Sequence, residues 1–295
     1  MWGDPMTGAE LHTPPGVLVD GVPVLMPDAR RFVTRHAPSW AVDGRQGLTP
    51  VDSLPVDAPD LLTPHLSPGR WPESVRPGGS FGEWVRGLGD RCPDAVCAEW
   101  AADFAPDGVA VDAGCGVGSM TRRMAQDRSC VLAFDRSPRA VLLARALLSG
   151  QLPEVGVPGA RSVRLDLAWP HPPVPDGVVQ WAIADVLDPP LITGGIAWLH
   201  LGSVIDMVPA GMEAVLEAVV GCLQPGGLLT IATPHDEDAV ALPGVPPPGE
   251  VMRAALQELG LHLVDEAPSV PWVVRQYDRG YRVLLTDCLA ARAPR

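Results

Sequence analysis

Val109-Ala110-Val111-Asp112-Ala113-Gly114-Cys115-Gly116-Val117-Gly118-Ser119-Met120 decides the reading of this chain. An apolar run ends in an acid, and glycines then occupy every second position before a helix-like segment opens. That order makes a strand, a tight turn and a helix, with the backbone of the turn open to a ligand. Glycine adopts the unusual angles such turns use and lets a cofactor approach the main chain. The next apolar run, Val131-Leu132-Ala133-Phe134-Asp135, also ends in an acid. Asp135 follows Gly114 by 21 residues, close to the roughly 20-residue offset of a ribose-binding carboxylate.

Strand and helix signals alternate from this point to the C-terminus. Strands are predicted at 108–112, 130–135, 178–184, 195–201, 226–233, 262–266 and 281–290. Helices are predicted at 81–88, 93–104, 118–127, 138–148, 209–223 and 250–259. Ser137-Pro138 is a helix start, a capping hydroxyl followed by proline at the first helical position. The stretch 161–167 reads as an inserted strand or hairpin, or as a plain loop. The alternation predicts an α/β fold with a Rossmann-like doubly wound sheet, mostly parallel with an antiparallel last strand. A small irregular extension precedes it. Residues 1–36 form that extension, with a hairpin turn expected at Asp20-Gly21. A Pro-rich connector follows at 37–80, and 81–295 is the main domain.

Composition narrows the function. At 295 residues and 46% hydrophobic content the chain can bury a full core, while 34 prolines and 31 glycines make much of it loop. No apolar run approaches the roughly 18 residues of a membrane span. The N-terminus carries no basic region followed by an apolar core, so a cytoplasmic location is expected. A formal charge of −13 disfavours nucleic acid and anionic lipid as partners. The six cysteines contain no Cys-x-x-Cys pair and read as reduced, mostly buried thiols. No metal site is predicted.

Two further stretches fall in the order a nucleotide-type site needs. Ile183-Ala184-Asp185-Val186 ends a strand in an acid suited to an adenine amino group, and Gln224-Pro225-Gly226-Gly227 turns from a helix into an apolar strand. Together with the loop from Val111 to Gly118 and with Asp135, these residues resemble class I S-adenosylmethionine-dependent methyltransferases over roughly residues 80–290. The resemblance implies S-adenosyl-L-methionine as cofactor. It implies Asp112, Gly114, Cys115, Gly116, Gly118, Asp135, Arg136, Asp185, Val186 and Ser203 as the residues around it. Charge supports the same choice: a dinucleotide loop cradles pyrophosphate on a helix N-terminus. Asp112 would repel that anion but suits an ammonium and a sulfonium.

Acceptor recognition falls to the loops after the later strands. Ser203-Val204-Ile205-Asp206-Met207-Val208, Thr233-Pro234-His235 and Pro271-Trp272-Val273-Val274-Arg275 resemble segments of the mercaptohistidine N-methyltransferases of ovothiol biosynthesis. Those enzymes carry Asn-Leu-Ile-Asp-Arg-Leu, Ser-Pro-Tyr and Pro-Phe-x-x-Arg at these places, so Ser203, Met207 and His235 are departures. The resemblance implies Asp206 and His235 as catalytic candidates. Trp272, Arg275 and Tyr281 are the substrate-binding candidates. Each has a structural alternative: Asp206 as a helix cap, His235 as a surface residue, Trp272 and Arg275 as packing and pairing groups. His200, in an apolar strand, reads as a satisfied core histidine, and Cys115 as a backbone position. Residues 17–30 resemble the end of a zinc-ribbon module that precedes several bacterial methyltransferases. Without a cysteine before Cys92, zinc binding is not carried over.

The expected activity is methyl transfer to a small-molecule or peptide-like substrate. An RNA methyltransferase and a cofactor-binding protein without turnover are the alternatives.

Overall fold

The computed structural model describes residues 17–26, 28–33, 83–84, 87–88, 91–151, 154–158, 164–168, 172–235, 248–277 and 280–295. In chain order its elements are β1 (Leu18–Val19), β2 (Val22–Leu25), α1 (Pro93–Phe104), β3 (Val109–Ala113), α2 (Ser119–Asp127), β4 (Val131–Asp135), α3 (Pro138–Leu148), β5 (Glu154–Pro158) and β6 (Arg164–Ala168). β7 (Val179–Ala184), β8 (Ile196–Gly202), α4 (Met212–Val220), β9 (Leu223–Thr233), α5 (Pro248–Glu258), β10 (His262–Tyr277) and β11 (Gly280–Arg292) complete it. The expected connector at 37–80 lies outside the described residues, as do most of the helix expected at 81–88 and positions 34–36.

Nine strands form one sheet in the order β1-β2-β7-β4-β3-β8-β9-β11-β10. Every pairing from β2 through β9 is parallel, and β11 runs antiparallel to both β9 and β10. The sheet is therefore the mostly parallel, doubly wound one the sequence predicts. The chain order reverses at β3, which pairs with β4 on one side and β8 on the other. Such a switch point leaves a crevice beyond the carboxyl ends of the strands, where open α/β sheets bind ligands.

Burial on both faces explains why the central strands are continuously apolar. On one face Ala110, Val131, Trp198 and Leu228 pack against Val96, Cys97 and Trp100 of α1 and Met120 and Met124 of α2. On the other, Val111, Leu132, Leu199 and Ile231 pack against Val215, Leu216 and Val219 of α4 and Met252 and Leu256 of α5. Ser137 caps α3 as expected, its hydroxyl accepting the Ala140 N–H at 3.3 Å, with Pro138 opening the helix.

The hairpin expected at Asp20-Gly21 forms, and its second strand continues the main sheet. Val24 and Leu25 of β2 pair in parallel with Ile183 and Ala184 of β7. Val22 and Val24 are buried against Ala133, Val141, Leu142, Ile183 and Cys115 of the glycine loop.

Several boundaries differ from expectation. α4 starts at Met212 rather than 209, because Gly211 in a left-handed conformation (φ 87°) stands at its N-cap. β9 begins at Leu223, which pairs with Ile196 ahead of the Pro225-Gly226-Gly227 turn. Residues 154–168 contain an antiparallel hairpin, β5 with β6. β10 runs to Tyr277 instead of stopping at 266, in spite of Pro268 and Pro271. It is an edge strand, where sheets tolerate proline, and Pro268 falls in the register shift between Ala267 and Val270. β9 pairs with β11 only as far as Thr233 opposite Asp287, whereas β10 and β11 stay paired to Tyr277 opposite Gly280. Residues 280–286 and their partners thus rise past the end of β9 as an arm roughly 20 Å long. No helix among the described residues is long and apolar enough to cross a membrane.

Candidate functional site

The glycine loop hangs from the neighbouring strand. The backbone N–H groups of Gly114 and Cys115 both donate to Phe134 O of β4 at 2.9 Å, and Gly118 N–H closes the turn on Cys115 O at 2.9 Å. Gly114 (φ 78°) sits where a Cβ would come within 2.3 Å of Val204 Cγ2, so only glycine fits. Gly118 (φ 84°) is the N-cap of α2, and its carbonyl accepts the Arg122 N–H at 2.9 Å.

Three carboxylates end three adjacent parallel strands around this loop. Asp112 of β3 is 2% exposed, and its Oδ2 accepts the Thr121 hydroxyl at 2.6 Å. It lies beneath the loop and its charge acts from there. Asp135 of β4 is half-buried; Oδ2 accepts Gly116 N–H at 3.0 Å and Oδ1 accepts Ser137 N–H at 2.7 Å. Burial raises its pKa, against the lowering effect of those two N–H donors. Asp185 follows β7; Oδ1 accepts Leu187 N–H at 3.0 Å, and Oδ2 lies 3.6 Å from Nε of the exposed Arg136. Val186, beside it, is buried in the core. The structure brings the ten expected cofactor residues to one end of the sheet.

Cys115 is buried, and its thiol is pushed well above its ordinary value first by burial, then by the charges of Asp112 and Asp135. Its Sγ points to Gly116 O at 3.7 Å. A thiol held neutral in this way is a poor nucleophile, which leaves its backbone as the useful part.

The loop after β8 packs between the glycine loop and β9. Ser203, in a left-handed conformation (φ 54°), donates its N–H to Ala232 O of β9 at 2.7 Å, and Val204 fills the space under Gly114. Asp206 is half-buried in the following turn. It does not cap α4, which starts six residues later at Met212, so the capping alternative is corrected. His200 is 1% exposed in β8, a core histidine as expected, with Nδ1 3.0 Å from Thr230 Oγ1.

His235 stands two residues past β9, also left-handed (φ 50°), its N–H donating to Thr233 Oγ1 at 3.2 Å. Its Nε2 lies 3.3 Å from Asp287 Oδ2. Trp272 is buried and Tyr281 half-buried in the β10–β11 arm. Arg275 lies in β10 opposite Tyr281.

Sequence reading missed several polar groups that support the site. Asp94, in the first turn of α1 and 2% exposed, accepts the hydroxyl of Ser119, the first residue of α2. Thr230 Oγ1 accepts Trp198 Nε1–H at 2.8 Å as well as meeting His200. Asp287 was another. Their partners lie 25 to 52 positions away along the chain, so no local pattern marks them. Among the described residues no cluster of three or more His, Cys, Asp or Glu side chains is placed to hold a metal ion.

No family model matches the chain, and no curated protein matches it. Several solved structures are similar to it at low identity. One is the complex between the Haloferax volcanii Trm112 methyltransferase activator and the putative methyltransferase, at 16% identity and a TM-score of 0.47, covering 75% of this chain and 100% of that one. Magnesium protoporphyrin IX methyltransferase from Synechocystis PCC 6803 with bound SAM matches at 18% and 0.44, over 76% and 89%. The [4+2]-cyclase SpnF matches at 15% and 0.47, over 68% and 80%.

Proposed function

We propose that the chain is an S-adenosyl-L-methionine-dependent methyltransferase acting on a small-molecule or peptide-like acceptor. The carrying observation is the row of carboxylates, Asp112, Asp135 and Asp185, at the carboxyl ends of the adjacent strands β3, β4 and β7, with Asp112 and Asp135 bonded to α2 and to the glycine loop. A pyrophosphate brought to the start of α2 would meet the charges of Asp112 and Asp135. A cofactor with a neutral nucleoside and a positively charged amino-acid end meets complementary groups instead.

The residues fit such a cofactor. Both oxygens of Asp135 already take one backbone N–H each and retain lone pairs for ribose hydroxyl protons. Gly114 lets Val204 of the loop after β8 pack directly against the glycine loop, where any side chain would clash. Asp185 has one oxygen fixed by Leu187 N–H and the other beside Arg136, at the expected nucleoside end. When bound, the cofactor supplies an activated methyl on a sulfonium, ready for in-line displacement. The protein then contributes position and exclusion of water. Asp206 and His235 are the candidates for taking a proton from the acceptor.

Two features support that choice of acceptor. The arm of β10 and β11 rises beside the carboxyl end of β9, next to the loops assigned here to the acceptor. The net charge of −13 works against polyanions.

Isothermal titration decides the cofactor. Binding of adenosylhomocysteine with none of NAD is expected; the opposite pair of results overturns the proposal. Incubation with labelled cofactor and either total RNA or a metabolite extract then separates acceptor classes, with label expected in the extract.

A further inference from the structure

We propose that Asp287 is a positioning residue that holds the His235 imidazole with its proton on Nε2, leaving Nδ1 free to take a proton from the methyl acceptor. This rests on the methyl-transfer reading above. The acceptor atom it implies is an oxygen or nitrogen that arrives carrying a proton.

The geometry begins at the last ladder pair between β9 and β11, Thr233 opposite Asp287. From there β9 ends and β11 leaves to form the arm, so the side chain of Asp287 lies where the two separate. His235, turned back by its left-handed backbone, brings Nε2 to 3.3 Å from Asp287 Oδ2. Nε2 is buried, and it makes no well-aligned hydrogen bond among the described residues. The contact with Asp287 is therefore an ion-pair approach, a looseness common at sites that tighten around substrate. Asp287 is itself fixed, because Oδ1 accepts the backbone N–H of Ser269 at 3.0 Å. Ser269 is a third left-handed residue (φ 59°), at the register shift of β10. Three of the four non-glycine residues with positive φ among those described, Ser203, His235 and Ser269, thus gather at this end of the sheet. Unusual backbone of this kind is kept where surrounding structure over-determines it.

The chemistry follows from which ring nitrogen faces the acid. A carboxylate accepts but does not donate, so it favours the tautomer with hydrogen on the nitrogen it faces. Nδ1 is then the basic atom. As the acceptor's lone pair bonds to the methyl carbon, the carbon–sulfur pair returns to sulfur and the acceptor's proton passes to Nδ1. The resulting imidazolium is balanced by Asp287.

The test reads the tautomer directly, by two-bond nitrogen–proton correlation spectra of ¹⁵N-histidine protein at a pH where His235 is neutral. His235→Gln identifies the signal among the seven histidines. Wild type is expected to carry hydrogen on Nε2. In Asp287→Asn the Ser269 N–H still requires an oxygen partner, which turns the amide NH₂ toward Nε2 and moves the ring proton to Nδ1. Asp287→Ala removes both effects and gives averaged shifts. A wild-type proton on Nδ1, or identical spectra in wild type and both variants, overturns the inference. Adenosylhomocysteine affinity, measured on the same samples, is expected to change less than twofold. Its absence in wild type overturns the methyl-transfer reading, independently of the tautomer result.

Discussion

Asp135 Oδ2 accepts the backbone N–H of Gly116 at 3.0 Å. The acid expected to face the ribose therefore also holds the middle of the glycine loop, so the two parts of the proposed cofactor site depend on each other. Asp135→Ala removes a charged hydrogen-bond acceptor from both tasks, each worth about 1.5–3 kcal/mol. A loss of at least tenfold in adenosylhomocysteine affinity is expected by titration calorimetry; unchanged affinity would remove Asp135 from the site.

The same residue sets a pH dependence. Its pKa is raised from 3.8 in the folded chain, chiefly by burial. Between 3.8 and that higher value the native state holds more protons than the unfolded one, so this group's contribution to stability falls as pH rises through the window. Below 3.8 the penalty is absent. The stability difference between wild type and Asp135→Asn, followed by urea unfolding, should accordingly move in favour of Asn as pH is raised. Cofactor binding needs the carboxylate and should have the opposite trend, strengthening with pH over the same window.

Gly114 and Gly177 have nearly the same backbone angle, φ 78° and 81°, but different surroundings. A Cβ at Gly114 would lie 2.3 Å from Val204 Cγ2, while one at Gly177 meets nothing within 4 Å. Gly177→Ala is expected to cost about 1–2 kcal/mol for the angle alone. Gly114→Ala adds overpacking and should cost about 2–4 kcal/mol, with loss of cofactor binding. Similar costs for the two would show that Val204 moves aside freely.

Thr230 serves two buried rings with one hydroxyl. Its oxygen accepts the Trp198 N–H at 2.8 Å and its hydrogen is available to His200 Nδ1 at 3.0 Å. Thr230→Val keeps the shape and deprives both, for an expected loss of about 2–4 kcal/mol. Thr230→Ser keeps the hydroxyl and should lose less than half as much. Urea unfolding midpoints at neutral pH check the ranking.

Arg145 donates to Asp20 O and to Asp20 Oδ2, both at 2.7 Å, and looks like the clasp of the N-terminal hairpin. Its side chain is 28% exposed and that of Asp20 58%, so solvent screens the pair to below about 1 kcal/mol. Val24 is 1% exposed in the core shared with β7 and Cys115. Hydrogen exchange at Val22–Leu25 should accelerate far more in Val24→Ser than in Arg145→Ala. The reverse order would make the ion pair the main attachment.

The glycine loop, the acids ending β3, β4 and β7, the Ser137 cap and the hairpin turn were all legible in the sequence. Each is a local event, set within a few residues by φ preference, hydrophobic period or capping, and local causes can be read locally. The proposed class of ligand rests on the sequence as well, because Asp112 sits next to the turn in the chain itself. Only the tertiary structure joined β2 to β7 and carried the β10–β11 arm past β9. Only it brought Asp94 to Ser119, Thr230 to Trp198 and His200, and Asp287 to His235. Those contacts arise from strand register across a twisted sheet, where one residue of slip turns every side chain to the other face. No short stretch of sequence holds that information, since it is fixed by how the whole sheet buries its two apolar faces.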